Sequence, residues 1–250
     1  MRLYYQTDGR FVNDRRDEES RRTLARTLNP ATHAVRRDAF LDVAQRLIQT
    51  KGYESFSIQE VIDEVGASKG AFYHYFGSKA DLLEAIVERM ADGVEGSWGE
   101  VMTRPGLSAV ERFEGVFATT AQYKNERRDL ALALLEAWLS DTNTVLREKL
   151  RELVARRMTP VLERIFRQGV AEGDFTVADP EGTARVIVAL IQGIQEEALH
   201  LFVARQAREI EVEEVLRVFA AFSAAVDRIL GLEPGRLSLT DPPTIRMWFG

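Results

Sequence analysis

Cysteine is absent from the 250-residue sequence. Its absence excludes disulfides, thiolate metal ligands and cysteine nucleophiles, and it is compatible with a reducing cytoplasm. Long hydrophobic runs are also lacking, since the longest, residues 186–191, is far shorter than the ~20 residues that cross a bilayer. The first residues lack the apolar core of a signal peptide. We therefore expect a soluble, cytoplasmic protein.

Residue sets that carry catalysis or bind metals are also missing from the sequence. His200 has no second ligand at metal spacing, which favours a core or surface role over coordination. Glu196 and Glu197 are adjacent and point in different directions on a helix, so they do not form a general acid and base pair. A phosphate-binding loop or nucleotide fingerprint is absent. The sequence therefore predicts no enzyme, no cofactor and no metal site.

Excess positive charge is missing too, because 39 acidic residues outnumber 33 Lys and Arg, which leaves a net charge of −6. A protein that coats nucleic acid without sequence preference needs many cations to neutralise phosphates. Residues 66–80, however, contain Lys69, His74 and Lys79 and no acidic residue. A small cationic surface on an acidic protein is typical of a specific DNA reader.

Apolar residues recur at helical spacing along most of the chain, and no segment alternates as a strand does. The fold class predicted is all-α: an N-terminal three-helix helix-turn-helix domain followed by a larger helical domain. The first helix, residues 34–50, is expected to bury one stripe and to end at Gly52. The members of that stripe are Phe40, Val43, Ala44, Leu47 and Ile48.

Two short helices are predicted to follow, joined by a tight turn. Residues 57–60 read as a capping box, in which a serine and a glutamate each satisfy a free backbone donor. Gly66 permits a left-handed turn, and Ser68 can cap the next helix, where Phe72 and Phe76 lie one turn apart. A fourth helix is predicted to begin at a further cap, residues 78–81, and the chain is expected to loosen at Gly93, Gly96 and Gly99.

The domain boundaries follow from these patterns. Residues 1–33 are rich in arginine and poor in apolar residues, so we predict a mobile arm that is either solvated or in contact with the minor groove. The helix-turn-helix domain is assigned to residues 34–92, the larger helical domain to 93–232, and a C-terminal tail to 233–250.

Longer and more apolar helices are predicted in the second domain. They are a helix behind the capping box at Ser108 and Glu111, a nearly all-apolar helix over 130–139, a long helix over 143–171 with Pro160 inside it, a helix that starts at Asp179 and Pro180, and a last helix over 212–230.

Many separate positions of the sequence agree in order and spacing with the motifs of a known protein family. The sequence resembles the DNA-binding domain of the tetracycline-repressor (TetR) family over residues 36–96, and the loop of residues 169–175 is similar to one in many members. It departs from the commonest family form at Tyr75 and Ala80. The motifs that carry the resemblance are Phe40-Leu41-x-x-Ala44, Gly52-Tyr53, Ser57-Ile58, residues 65–76 (VGASKGAFYHYF) and Lys79-x-x-Leu82-Leu83.

The physics of a helix in the major groove assigns roles to the residues of this motif. Small residues belong at its leading end, where Lys69, Gly70 and Ala71 supply one cation and close backbone approach, with an Ala71 methyl contact to thymine. Tyr73 and His74 face away from the Phe72 side and can donate to phosphate, a task that the resemblance also gives them.

Three further residues complete the predicted DNA site. Lys79 opens the fourth helix, where a cation beside the helix dipole calls for an external anion such as phosphate. Ser57 and Ser68 can cap their helices and also reach phosphate. Each of these aromatic, basic and hydroxyl residues could alternatively be an ordinary packing or surface residue, but together they favour DNA binding.

The resemblance implies that the second domain dimerises and holds a small-molecule cavity. Small residues on the last two predicted helices would allow this pair from each subunit to form a four-helix bundle. The alternative is that these helices pack only within one subunit. The candidates for cavity walls and anchors, which could equally be core residues, are Phe113, Phe117, Tyr123, Trp138, Phe166, Gln192 and Gln195.

The function expected is a sequence-specific regulator, a repressor that a small-molecule ligand releases from a palindromic double-stranded DNA operator. The homodimer would place two recognition helices on the order of 34 Å apart, and a ligand that favours another spacing would weaken binding. The alternatives are a regulator controlled by a protein partner, or an activator, with no small-molecule cavity. A helical enzyme with an incidental motif is a poor third.

Overall fold

A computed structural model describes residues 30–139 and 144–250, and within these ranges it contains helices and no strand. The all-α prediction is confirmed. Most of the predicted arm, residues 1–33, lies outside the described residues, and its last four residues open the first helix. The helices are α1 Pro30–Lys51, α2 Ile58–Val65, α3 Lys69–Tyr75, α4 Lys79–Thr103, α5 Ala109–Asn125, α6 Arg128–Leu139, α7 Thr144–Glu172, α8 Pro180–Gln206, α9 Val212–Leu230 and α10 Pro242–Phe249.

The helix ends predicted from local sequence occur in the structure. The Ser57 hydroxyl accepts from the Glu60 amide while the Glu60 side chain accepts from the Ser57 amide, which is the predicted capping box. Gly66 adopts the left-handed conformation with φ 67° that ends α2, a conformation that costs glycine no steric strain. Ser108 forms a second capping box with Glu111.

The glycines of α4 do not loosen the chain, contrary to expectation. Gly93, Gly96 and Gly99 lie within one continuous helix, so the boundary predicted after residue 92 falls inside α4. Each glycine costs a helix about 1 kcal/mol relative to alanine. The following turns bury Trp98 and other apolar side chains, and a β-carbon at Gly93 would collide with the Tyr123 ring. Packing against α5 therefore outweighs the local preference, and α4 runs as one continuous helix from the first domain into the second.

Helix α6 contributes to the core of the N-terminal domain although the chain places it in the second. It packs against α1. Its Leu130, Ala133 and Leu134 belong to the same buried cluster as Phe40 and Phe72. Movement of α6 would therefore disturb the packing of the cluster that also holds Phe72 of α3.

The second domain has its own core, built from the end of α4 with α5, α7, α8 and α9. Helix α7 runs through Pro160, and α9 ends at Gly231 in a left-handed conformation, both as predicted. At the centre, Phe113 and Phe166 are fully buried and their ring centroids lie 5.4 Å apart.

The segment predicted as a C-terminal tail is an integral part of the second domain. We call residues 231–250 the C-terminal strap. The carboxylate of Asp227, fully buried in α9, accepts from the amides of Gly235 at 2.7 Å and Leu237 at 3.0 Å. The Ser238 amide donates to Glu114 of α5 at 2.8 Å. Sequence patterns missed the strap because its buried apolar residues are few and divided between irregular chain and a short helix. They are Leu237 and Leu239 in the irregular part and Ile245 and Phe249 in α10.

Helix α8 alone among the described residues has the length and composition to cross a membrane, with a mean hydropathy of 1.5 over its most apolar window. Length and composition are weak arguments here, because Arg185, Glu196 and Glu197 lie exposed on the same helix. One side of α8 packs against α7 and α9. We interpret it as a core helix with an open outer face.

Candidate nucleic-acid interface

The recognition helix α3 separates its buried and exposed sides cleanly. Its cap is Ser68, whose hydroxyl accepts from the Ala71 amide at 3.1 Å. Phe72 is fully buried, and its centroid lies 5.6 Å from those of both Phe40 and Phe76. Tyr73, the next residue, is 47% exposed. The core side therefore fixes the helix while the other side remains open to a partner.

The leading residues of α3 are accessible, as a helix that enters a groove requires. Lys69 and Gly70 are exposed and Ala71 is half-buried. The nearest atom to a β-carbon at Gly70 would be the Ser68 hydroxyl at 4.0 Å, so no neighbour within the subunit requires glycine there. His74 is exposed beside Tyr73. These residues, with exposed Ser68, form one continuous surface at the start and outer side of the helix.

Ser57, at the start of α2, is exposed and occupied by its capping box. Its hydroxyl donates to Glu60 at 2.9 Å, and Lys51 donates to the same carboxylate at 2.5 Å. Lys51, followed by the Ser57 amide and hydroxyl, lowers the pKa of Glu60 to about 2. Glu60 is therefore ionised throughout the physiological range, and a phosphate beside Ser57 would approach a neutralised pair.

Lys79 has partners inside the subunit that the sequence did not predict. Its ammonium donates to the carbonyls of Phe56 at 2.6 Å and Glu54 at 3.3 Å. The same nitrogen lies 4.3 Å from the Phe56 ring centroid and 4.7 Å from that of Tyr53. Burial lowers the pKa of Lys79. These carbonyls and rings stabilise the ammonium beside the unfavourable helix dipole, and a phosphate contact by Lys79 stays a prediction.

The structure adds the first turns of α1 to this surface. The His33 ring centroid lies 4.5 Å from that of Tyr75 and 5.5 Å from that of His74. Arg36 is exposed one turn further on, and the Arg37 guanidinium lies 5.6 Å from the Phe76 ring centroid. These three residues occur at i, i+3 and i+4, which is the spacing of one helix face. That spacing could have revealed them, but the predicted arm ended at residue 33.

The candidate ligand residues are spread between core and surface. Phe113 and Phe166 are central core residues, and Phe117 is partly buried against Phe222. The Arg127 guanidinium stacks on the Tyr123 ring, 3.8 Å from the centroid of that ring.

The polar candidates lie further out. Gln192 donates to the Arg151 carbonyl at 2.8 Å, and Gln195 is exposed. The side chain of Trp138 lies outside the described part of the chain. The structure does not bring all seven candidates together around one cavity, and their ligand role stays a prediction.

Two clefts border the corner where α5 turns into α6, the first polar and the second of mixed character. One, of about 250 Å³, is lined by Gln49 of α1 and by residues 125–129. The other, of about 160 Å³, lies between the two domains and includes Arg89, Tyr123 and Arg127. Both are small beside the ~300–1,000 Å³ of typical ligand pockets.

Lys124 is a partly buried cation that the sequence analysis missed. It lies on the stripe of α5 that carries Phe113 and Phe117, because offsets of 4 and 11 residues return to nearly the same helix direction. Burial lowers the pKa of its ammonium, and among the described residues it has no hydrogen-bond or ion-pair partner. A lysine within an otherwise apolar stripe was the available signal. Such a group favours a negatively charged neighbour.

Comparison with known proteins agrees with this geometry. Residues 40–86 match the family described as bacterial regulatory proteins, tetR family. The HTH-type transcriptional regulator YfiR of Bacillus subtilis is 28% identical over 182 residues, which cover 67% of this chain and 82% of YfiR. The HTH-type transcriptional repressor KstR2 of Rhodococcus jostii is 27% identical over 123 residues, 45% of this chain and 60% of KstR2.

A solved structure shows the same fold over most of the chain. RolR, in complex with its ligand resorcinol, superposes with a TM-score of 0.56 at 17% identity and covers 88% of this chain and 96% of RolR. At that identity the likeness concerns the fold alone.

An exposed recognition helix on a packed three-helix core, followed by a second helical domain, defines a helix-turn-helix transcription regulator. Residues 40–86 match the tetR family of bacterial regulatory proteins, and the chain as a whole is similar to HTH-type transcriptional regulators.

Proposed function

We propose that the protein is a cytoplasmic, dimeric transcriptional repressor that reads a palindromic operator through α3 and leaves it when a small molecule binds the second domain. The observation that carries the DNA-binding part is the exposed surface of Ser68, Lys69, Gly70, Tyr73 and His74, held by a buried Phe72. A local cationic surface on a protein of net charge −6 supports specific over indiscriminate binding.

The role of Tyr73 tests the DNA surface. Tyr73→Ala is expected to weaken binding to every duplex by about 5- to 30-fold, because it removes a donor to phosphate. Tyr73→Phe keeps the ring and should lose most of the same affinity. Fluorescence anisotropy with labelled duplexes at physiological salt measures both. Wild-type affinity in both variants would contradict the phosphate role, and unchanged thermal melting shows that the subunit stays folded.

The dimer is supported by the outer faces of α8 and α9. Ala189 and Gly193 are exposed on α8, and Ala220 and Ala221 are exposed on α9. Val186 and Val203 are 52% and 46% exposed on α8, which is unusual for large aliphatic side chains unless another surface covers them. A second copy of the chain fits such a face, because small residues let helices approach closely. Ala184, in contrast, is fully buried and packs within the subunit.

Substitution of Gly193 tests this interface. Nothing lies within 4 Å of a β-carbon at this exposed helical position, so Gly193→Arg should leave the subunit folded. At a two-fold interface it would bring two buried charges together and shift the protein to monomer by sedimentation velocity. Gly96→Arg is the matched control, since Gly96 is exposed on α4 and equally free of neighbours. A dimer that persists in Gly193→Arg would place the interface elsewhere.

Ligand control and repression are the finer parts of the proposal. KstR2 is named a repressor, which supports repression by this chain, and a ligand that lowers operator affinity is the release mechanism that we propose. Operator selected from random DNA provides the probe for a screen of small aromatic and acidic compounds. If compounds that bind the second domain never change operator affinity, the coupling is wrong, and control by a protein partner becomes the better account.

A further inference from the structure

The last turn of the C-terminal strap touches the corner between α5 and α6. The Trp248 indole nitrogen donates to the side-chain oxygen of Asn125, the last residue of α5, at 2.6 Å. The Arg128 guanidinium, at the first residue of α6, lies 5.6 Å from the Trp248 ring and donates to the Met247 carbonyl at 3.4 Å. Residues about 120 positions apart in sequence therefore meet at the start of α6.

The same turn of the strap is attached to α8 and α9 on its other side. The Phe249 ring centroid lies 6.1 Å from that of Phe202 in α8 and 6.0 Å from that of Phe219 in α9. Arg246 donates to Glu213 of α9 at 3.1 Å. Helix α10 thus contacts α8 and α9 on one side and the corner between α5 and α6 on the other. The outer faces of α8 and α9 are those that we assign to the dimer.

Helix α6 in turn carries part of the DNA-binding domain, because Leu130 and Leu134 are buried in the cluster around Phe40. It has 12 residues. A tilt of about 10° over the ~18 Å length of such a helix moves its far end by about 3 Å, close to the ~3.4 Å that separates base pairs. Small changes at the corner are large enough to change which operator spacing fits.

We propose that Trp248, through Asn125 and Arg128, is a positioning residue that sets the orientation of the DNA-binding domain relative to the dimer helices, and so the separation of operator half-sites that the protein prefers. The inference rests on the proposed dimeric operator binding. It assigns Trp248 no contact with DNA. The contact acts by holding one end of α6, while α4 holds the other connection between the domains.

The test compares affinities for duplexes that carry two half-sites separated by spacers of −2 to +2 base pairs around the selected spacing, and for a duplex with one half-site. Wild type should prefer one spacer by roughly tenfold or more, and Trp248→Ala should reduce that preference to about threefold or less. Affinity for the single half-site should change by less than about twofold in the variant, because the recognition surface is untouched.

Two further variants separate the indole contact from general stability. Trp248→Phe keeps an aromatic ring but loses the donor, so its spacer preference should be intermediate. Asn125→Leu removes the acceptor and leaves the strap sequence intact, which keeps the test available if Trp248→Ala fails to fold. Met247→Ala, altered at a side chain that is 46% exposed, is the matched control and should behave as wild type.

The outcomes are distinct. An unchanged spacer preference in folded Trp248→Ala and Asn125→Leu overturns the inference. An equal loss at all spacers and at the single half-site also overturns it, because that pattern reports lower stability and no change in geometry. If wild type prefers no duplex at all, the proposed DNA-binding function fails, a result already visible before any variant is made.

Discussion

Replacing Phe72 by alanine is expected to lower the free energy of unfolding by about 3–5 kcal/mol, the usual cost of removing a buried phenylalanine side chain. Phe72 is fully buried, and its ring packs against Phe40 and Phe76. Helix α3 has only seven residues, too few to be stable without this packing. The recognition helix should therefore lose its fixed position, and operator binding should be lost with it. Urea denaturation followed by circular dichroism measures the stability change.

The neighbouring residue supplies the control for this prediction. Tyr73→Ala, at a half-exposed side chain, should change stability by less than about 0.5 kcal/mol while it weakens DNA binding. Two adjacent substitutions would then separate the fold from the interface. A Phe72→Ala variant that unfolds within about 1 kcal/mol of wild type and still binds operator would show that the packing of α3 does not organise the DNA surface.

The second large effect is expected at Asp227. Asp227→Ala leaves the buried amide of Leu237 without its acceptor, at a cost of about 1–3 kcal/mol, and also removes the acceptor of the Gly235 amide, which is exposed and can turn to water at a smaller cost. Asp227→Asn keeps the shape of the side chain and one acceptor oxygen, so its stability should lie between those of wild type and Asp227→Ala. The first part of the strap should also become accessible to protease, because its buried leucines lose their attachment. Calorimetry and limited proteolysis report the two consequences.

Glu233→Ala is the matched control for Asp227, since Glu233 is an exposed acid in the same segment. This variant should have the melting temperature of wild type and the same resistance to protease. A strap that remains resistant in Asp227→Ala, with no loss of stability, would mean that Leu237 and Leu239 hold it by apolar packing alone. That result would leave the Trp248 proposal intact, because α10 has its own contacts.

Much of the geometry of the proposed DNA-binding surface could be predicted because its signals are local. A serine three residues before a glutamate satisfies backbone donors within one helical turn, and the caps at Ser57, Ser68 and Ser108 form as predicted. The exposed sides of Tyr73 and His74 likewise follow from their position relative to Phe72 on a single helix.

Interactions between distant segments could not be predicted in the same way. Lys79 was expected to need an external phosphate, but the carbonyls of residues 54 and 56 accept from it. The glycines of α4 were expected to loosen the chain. Instead α4 continues past them, because Trp98 is buried and Gly93 lies against the Tyr123 ring. In each case the outcome depends on a neighbour more than 20 residues away.

The sequence by itself determined the helical class, the helix caps at Ser57, Ser68 and Ser108, and the exposed side of α3, because these depend on hydrogen bonds and periodicity within a few residues. Only the tertiary structure decided that α6 joins the N-terminal core, that Asp227 anchors the strap, and that Trp248 reaches Asn125. The reason is that such contacts depend on which surfaces the packed helices bring together, and local spacing carries no record of that choice.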